Sequence, residues 1–390
     1  MKSFNSKFFL TLAIALFAIG LFLSSCEGPA GPAGKDGLAG AAGANGKDGV
    51  DGSKPCQACH NNANQDFYTK WYQYKLSLHG EGEVWIEEAN RVGSCGGCHS
   101  GDGFASASAN GTNTPTNYDY PTPITCRTCH FIHTKYDSTD FALRWTQAVP
   151  MLQKLATDPA TFDFKGSGNL CAKCHQSRTI TRTPSKLMAG FDSIARSTSG
   201  YSRVGPHYGI IANIVSAIGI PPMAGVTYGT ADNNPHADKL AKGCVTCHMG
   251  VDTTNFGIGG GGHYFQMTQA SYQRMSTADF NANCNSCHSK KVLLDAVNSK
   301  AIAADIVKIR RKIIDLGLLD TSQAFHPDGT YFVVGEYVKA STTGPKYVGT
   351  DTITAMINYL HVAKDRSNGA HNPTMIKSIV AGLKTFFGVQ

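Results

Sequence analysis

The cysteines constrain this chain more than any other feature. Twelve of the thirteen fall in six copies of Cys-x-x-Cys-His. The copies are Cys56, Cys59 and His60; Cys95, Cys98 and His99; Cys126, Cys129 and His130; Cys171, Cys174 and His175; Cys244, Cys247 and His248; and Cys284, Cys287 and His288. This spacing marks covalent attachment of haem c. Two thiols three residues apart reach the two vinyl groups of one porphyrin, and the next residue places an imidazole under the iron. A zinc site also uses Cys-x-x-Cys pairs but has no need of a histidine at the fifth position every time. One such pentapeptide arises by chance; six that consume twelve cysteines do not. The sequence therefore assigns six covalent haem c groups, with those twelve cysteines as attachment points and the six motif histidines as proximal iron ligands.

Six porphyrins change what the core is made of. Each is a large apolar plate, so cofactor rather than side chain fills much of the interior. The expectation is a mainly α chain with little regular secondary structure and long loops wrapped around cofactors. The formal charge of +7 would ordinarily suggest an anionic partner. Six haems bring about twelve propionates, partly offset by ferric iron, so the basic balance says nothing for nucleic acid.

Cysteine usage also bears on compartment. No cysteine is left for a disulfide framework, and haem c is attached outside the bacterial cytoplasm. Residues 1–25 read as a signal peptide, with Lys2 and Lys7 ahead of an apolar run from Phe8 to Leu23. That run is short for a transmembrane helix. It ends Leu23-Ser24-Ser25-Cys26, which has the form of a bacterial lipobox, and Cys26 is the one cysteine outside a haem motif. Lipidation of Cys26 would anchor the chain to a membrane. Glu27 follows rather than Asp, which favours delivery to the outer membrane, on its periplasmic or cell-surface face.

Residues 28–54 form nine consecutive Gly-X-Y triplets, from Gly28-Pro29-Ala30 to Gly52-Ser53-Lys54. A strict period of three is a collagen signature, because only glycine fits at a triple-helix axis. Nine triplets with two prolines suit an extended flexible tether; a trimerising triple helix is the other reading. Either form spans up to ~80 Å at about 3 Å per residue. Residues 55–390 then form the hexahaem domain.

Within that domain the periodicity predicts a helix over Asp66–Leu78, with Phe67, Trp71, Tyr74 and Leu78 on one face. Helices are also expected over Phe141–Leu155, Ser289–Leu319, Thr352–Lys364 and Pro373–Phe387, the last capped by Asn372 with Pro373 at its first position. Tyr331–Val338 reads as a short strand. The glycine run 257–262 lacks the Lys-Ser/Thr of a phosphate loop and suits close backbone approach to a porphyrin face beside His263.

Eight of the fourteen histidines lie outside the motifs, and six irons each need a sixth ligand or an open site. His79, His133, His207, His236, His263 and His371 are the six expected distal ligands. His133 lies three residues after His130 and His236 eight before Cys244, so each segment serves neighbouring haems. His326, in a His-Pro-Asp-Gly turn, and His361, inside an expected helix, are the spares. Met249 is a possible ligand made unnecessary by the histidine supply.

The segments around these motifs resemble the multihaem c-type cytochromes of metal- and mineral-reducing bacteria. The resemblance rests on Ser94-Cys95-Gly96-Gly97-Cys98-His99 with Gly103-Phe104; on Cys126–His130 with His133 and Leu143-Arg144; and on Asn169-Leu170-Cys171 with Arg178. It rests also on Gly243–Met249 with Gly262-His263, and on Asn358-Tyr359, Asp365 and Gly369–Pro373. It covers residues 56–390 and implies bis-histidine haems stacked as an electron conduit that works with other cytochromes or extracellular acceptors. Three functions follow as expectations. The first is electron transfer in extracytoplasmic respiration, without enzymatic turnover. The second is a subunit of an extracellular cytochrome filament, as some hexahaem relatives are. The third is a multihaem reductase of a small nitrogen or sulfur oxyanion, which would need one open or lysine-ligated haem; no Cys-x-x-Cys-Lys is present.

Overall fold

The computed structural model describes residues 56–57, 60, 65–81, 95–116, 121–180, 193–195, 204–207, 209–250, 261–265, 287–289, 300–319 and 347–390. The expected signal peptide, Cys26, the Gly-X-Y tether, Cys59, Cys284, His326 and the strand expected at Tyr331–Val338 lie outside these residues. So does most of the 257–262 glycine run. The fold is mainly α with little strand. Among the described residues, no helix is long and apolar enough to cross a membrane.

The order begins with α1 (Gln65–Lys75), α2 (Leu78–Glu81), α3 (Gly96–His99), α4 (Gly101–Ala109) and α5 (Cys126–Cys129). After a 3-10 turn at Ser138–Phe141 come β1 (Val149–Pro150), β2 (Thr161–Phe162), α6 (Gly168–Cys174), β3 (Ser193–Ala195), α7 (Ile211–Ser216), α8 (Pro235–Lys239) and α9 (Cys244–His248). A 3-10 turn at Gly262–Tyr264 precedes α10 (Lys300–Asp315), β4 (Tyr347–Gly349), α11 (Thr350–Asp365) and α12 (Pro373–Phe387). The four strands make two small antiparallel pairs, β1 with β2 and β3 with β4.

The larger apolar core gathers α10, α11 and α12 with α7 and its flanking loops. Its pattern is amphipathic in α10: Ile306, Ile309 and Ile313 are buried while Lys308, Arg311 and Lys312 face solvent. Helix α11 is buried on every face from Ile353 to Asp365, as expected of a helix packed among others rather than on a surface. Helix α12 starts as the sequence predicts. Asn372 accepts a hydrogen bond from the Met375 amide (3.1 Å), Pro373 follows it, and Gly388 closes the helix at φ 62°. Lys384 pairs with Asp305 at 3.1 Å, tying α12 to α10.

A second, smaller core holds Trp145, Val149, Met151, Phe164, Ala172, Ala212 and Ile218. Here the structure corrects the expected helix over Phe141–Leu155. That segment is extended, and it is spent on holding a haem motif. Phe131 N donates to Ala142 O (3.1 Å) and Arg144 N to Cys129 O (2.8 Å), so Ala142–Arg144 runs antiparallel to the third motif. Pro150 then lies in β1 and removes a helix donor. The buried residues Val149 and Met151 alternate around it with a period of two.

Buried amides replace sheet ladders in the loops. Asn213 Nδ2 donates to Gln153 O (3.1 Å) and Ile218 O (2.9 Å), while its Oδ1 accepts from Ser177 N (2.8 Å). Gln153 donates to Gly219 O (2.9 Å) and accepts from Ile180 N (2.7 Å). Asn358 donates to Pro221 O (2.8 Å) and accepts from the Tyr228 hydroxyl (2.7 Å). Irregular backbone buried away from water needs such partners for its own donors and acceptors.

Candidate functional site

Each fully described motif is helical: α3, α5 and α9 are short turns that begin at or beside the first cysteine, α6 begins three residues ahead of Cys171 at Gly168, and all four end at or beside the histidine. At 3.6 residues per turn, positions i, i+3 and i+4 share one face. Both thiols and the imidazole therefore project together. The ten described cysteines are all unbridged.

The structure brings twelve of the histidines together in six pairs, each joining one motif histidine to one non-motif histidine. Ring centroids lie 6.2 Å apart for His60 and His133, 6.0 Å for His175 and His79, and 5.8 Å for His99 and His207. They lie 6.3 Å apart for His130 and His263, 6.2 Å for His248 and His371, and 6.1 Å for His288 and His236. Rings in direct contact would sit closer. Two imidazoles on opposite sides of one metal, each with a bond of about 2.0 Å, have centroids about 6 Å apart. The gap in all six pairs fits a metal plane between the rings. Among the described residues no group of three or more His, Cys, Asp or Glu is placed to hold a metal ion. Haem iron asks only for a pair, since the porphyrin supplies four nitrogens.

His361 stands apart from the pairs. It lies fully buried within α11, donating from Nδ1 to Ile357 O at 2.8 Å, and its Nε2 has no partner among the described residues.

The second ring nitrogen is tied down in four of the paired histidines. Nδ1 lies 2.6 Å from Phe141 O in His130, 2.5 Å from Ala370 O in His236 and 3.1 Å from Phe265 O in His248. In His371 it lies 2.7 Å from Asp365 Oδ1. A carbonyl only accepts, so Nδ1 carries the proton and Nε2 is left with the lone pair a metal requires. Burial agrees with that form: it pushes His175, His248 and His263 down to about 4, and it lowers His79 and His130. In His371 burial also acts downward, but the Asp365 carboxylate outweighs it and raises the ring above its ordinary value. None of these Nδ1 partners was visible in the sequence, because each contact depends on how separate segments meet in three dimensions.

The first pair borders a cavity of about 340 Å³, lined by Cys56, His60, Phe67, His133, Tyr136 and Phe141 among others. His133 reaches it from a left-handed backbone conformation (φ 61°). The turn after it is organised by Asp140, whose carboxylate accepts from the amides of Thr134, Lys135 and Tyr136 at 3.2, 2.8 and 3.0 Å. His130 and His133 thus serve different pairs, as their spacing predicts. His236 also reaches a pair other than that of the motif following it. Gly262 approaches the Gln73 side chain so closely that a Cβ there would collide with it. Gln73 Oε1 in turn accepts from the His263 amide at 3.0 Å. At Gly262 both the left-handed backbone (φ 51°) and the adjacent Gln73 side chain call for glycine.

The motifs pack against one another. Cys98 Sγ lies 3.8 Å from Lys173 O and Cys174 Sγ 3.8 Å from Gly97 O, a reciprocal contact between the second and fourth motifs. Cys244 Sγ lies 3.8 Å from Gly168 O, joining the fifth motif to the fourth. Phe265 links three pairs: its carbonyl faces His248, and its ring lies 4.9 Å from His79 and 5.5 Å from His263.

The sequence matches no protein-family model and no curated protein. Among solved structures, the chain is similar to the outer cell wall cytochrome OcwA, at 17% identity and a TM-score of 0.39. The alignment takes in 82% of this chain and 50% of that one, so this chain spans about half its neighbour's length.

Proposed function

We propose that this protein is an electron carrier holding six haem c groups, each attached through one Cys-x-x-Cys pair and ligated by two histidines. The observation that carries this reading is the set of six pairs, in which every motif histidine faces one non-motif histidine at 5.8–6.3 Å. Haem so ligated supplies an iron that cycles between ferric and ferrous with no vacant coordination position.

The chain's own residues do the rest. The motif turns fix where each pair of thiols sits. The Nδ1 partners hold the tautomer and orientation of the imidazoles. The contacts of Cys98 with the Cys174 motif, and of Cys244 with the Cys171 motif, set three attachment sites side by side. The three-residue step from His130 to His133 and the Ala370–His371 step set the first pair beside the third and the sixth beside the fifth. Sites packed in this way suit conduction better than substrate turnover, and a full complement of histidine pairs leaves no motif histidine without a facing imidazole. The reductase reading therefore has nothing in the geometry to favour it.

We place the protein outside the cytoplasm, held through lipidated Cys26 and the Gly-X-Y tether at the outer membrane, with other cytochromes as redox partners. The test is stopped-flow reoxidation of the reduced holoprotein by ferric chelates, beside assays with nitrite, hydroxylamine and tetrathionate. Rapid reoxidation with no saturable turnover of the three substrates is expected. Saturable turnover accompanied by a high-spin haem signal would overturn the carrier reading.

A further inference from the structure

We propose that Asp365 is a positioning residue that lowers the reduction potential of one haem, the one bound at Cys244 and Cys247. The inference rests on reading His248 and His371 as that haem's ligands. Four paired histidines have a defined Nδ1 partner, and three of those partners are neutral backbone carbonyls. His371 alone among the four faces a carboxylate, at 2.7 Å. The Asp365 side chain is 1% exposed, so water does little to screen its charge.

Two effects act in the same direction. A charged acceptor draws the Nδ1 proton more strongly than a carbonyl does, which makes the ring a better donor to iron. Reduction adds one electron and lowers the charge of the iron by one, so a nearby buried negative charge favours the ferric form. Both hold back reduction at this centre.

The surrounding loop is built to keep the carboxylate in place. Helix α11 ends at Asp365, and Arg366 and Asn368 take left-handed conformations (φ 53° and 51°). The Ser367 hydroxyl donates to Asp365 Oδ2 and accepts from the His371 amide at 3.2 Å. Asn234 Nδ2 holds the His371 carbonyl at 2.8 Å. The ring, the carboxylate and the backbone between them form one closed unit.

The loop bond and the charge are separable by substitution. Asp365→Asn keeps the shape and an acceptor oxygen for Nδ1 but removes the charge. Ser367→Ala removes the loop bond and keeps the charge. The readout is spectroelectrochemical titration of each holoprotein, with low-temperature EPR to follow individual haems. In Asp365→Asn one haem should become at least tenfold easier to reduce, ~59 mV for a one-electron couple, with the other five unchanged. Ser367→Ala, which keeps the charge but loses one bond to the carboxylate, should move that haem by much less. The proposal is overturned if Asp365→Asn moves no haem, or if Ser367→Ala moves the same haem as far.

A measurement on the unaltered holoprotein stands even where Asp365→Asn fails to mature. One of the six bis-histidine charge-transfer bands in the near infrared should lie at higher energy than the rest, and six coincident bands would overturn the proposal. His371→Ala separates this from the underlying assignment. It should give one high-spin haem, and six low-spin haems in that variant would remove the ligation on which the proposal depends.

Discussion

Burying an unligated histidine should make the stability of this protein depend on pH in a window that can be isolated by one substitution. His361 is fully buried in α11, its Nδ1–H is spent on Ile357 O, and its Nε2 has no partner among the described residues. Protonation would place a charge in the apolar core formed by α10, α11 and α12. Burial accordingly pushes the ring from 6.5 down to about 4, against the weaker upward pull of its bond to Ile357 O. A tenfold loss of proton affinity is worth about 1.4 kcal/mol, so the full effect is about 3 kcal/mol. The unfolded chain binds more protons than the folded one between these two values, so stability rises with pH there. The contribution is present above pH ~6.5 and is lost as pH falls toward 4. Between pH 7.5 and 4.5 the loss is about 2.5 kcal/mol. His361→Leu removes the titrating group without orphaning a carbonyl, because Ile357 O keeps its place in the helix ladder. Guanidinium unfolding of both proteins by far-ultraviolet circular dichroism at the two pH values is the assay. The wild type should lose about 2.5 kcal/mol more than His361→Leu over this interval. Equal losses would refute the account of His361 as a neutral core residue.

Other outcomes follow from particular contacts. His79→Ala should leave six haems by intact mass but convert one to high spin in the EPR spectrum, since the attachment cysteines of its partner motif, Cys171 and Cys174, are untouched. Asn213→Ala should destabilise the holoprotein by about 1–3 kcal/mol in chemical denaturation, because it strands the buried amide of Ser177 and two carbonyls. Cys26→Ala should move the protein from the membrane to the soluble fraction on cell fractionation, or block its processing. Membrane retention of a processed variant would contradict lipidation.

What could be read in the sequence was whatever local chemistry dictates. The motif spacing put two thiols and an imidazole within five residues, and in the four fully described motifs they lie on helical backbone. Asn372, Pro373 and Gly388 bound α12 because capping depends on residues adjacent in the chain. The apolar period of α10 and α11 located both helices, though the described part of α10 starts at Lys300 rather than near Ser289. The failures were non-local. Phe141–Leu155 read as a helix, but the segment is extended because it pairs with the third motif and carries Pro150. The short helix α4, rich in glycine, serine and alanine, had no apolar stripe to announce it. The choice of His79, His133, His207, His236, His263 and His371 over His326 and His361 followed from chain context; the six face motif histidines, and His326 lies outside the described residues. Which motif each one faces was not legible, nor was the Asp365–His371 bond, since both depend on how loops cross in three dimensions.

The most direct test of the central claim is to locate the irons. A crystal structure of the holoprotein with anomalous data at the iron edge should show six iron peaks per chain. Each should lie midway between the imidazoles of one pair: His60 with His133, His99 with His207, His130 with His263, His175 with His79, His248 with His371, and His288 with His236. Fewer than six peaks, or an iron whose second axial position is open or filled by another residue, would contradict the account.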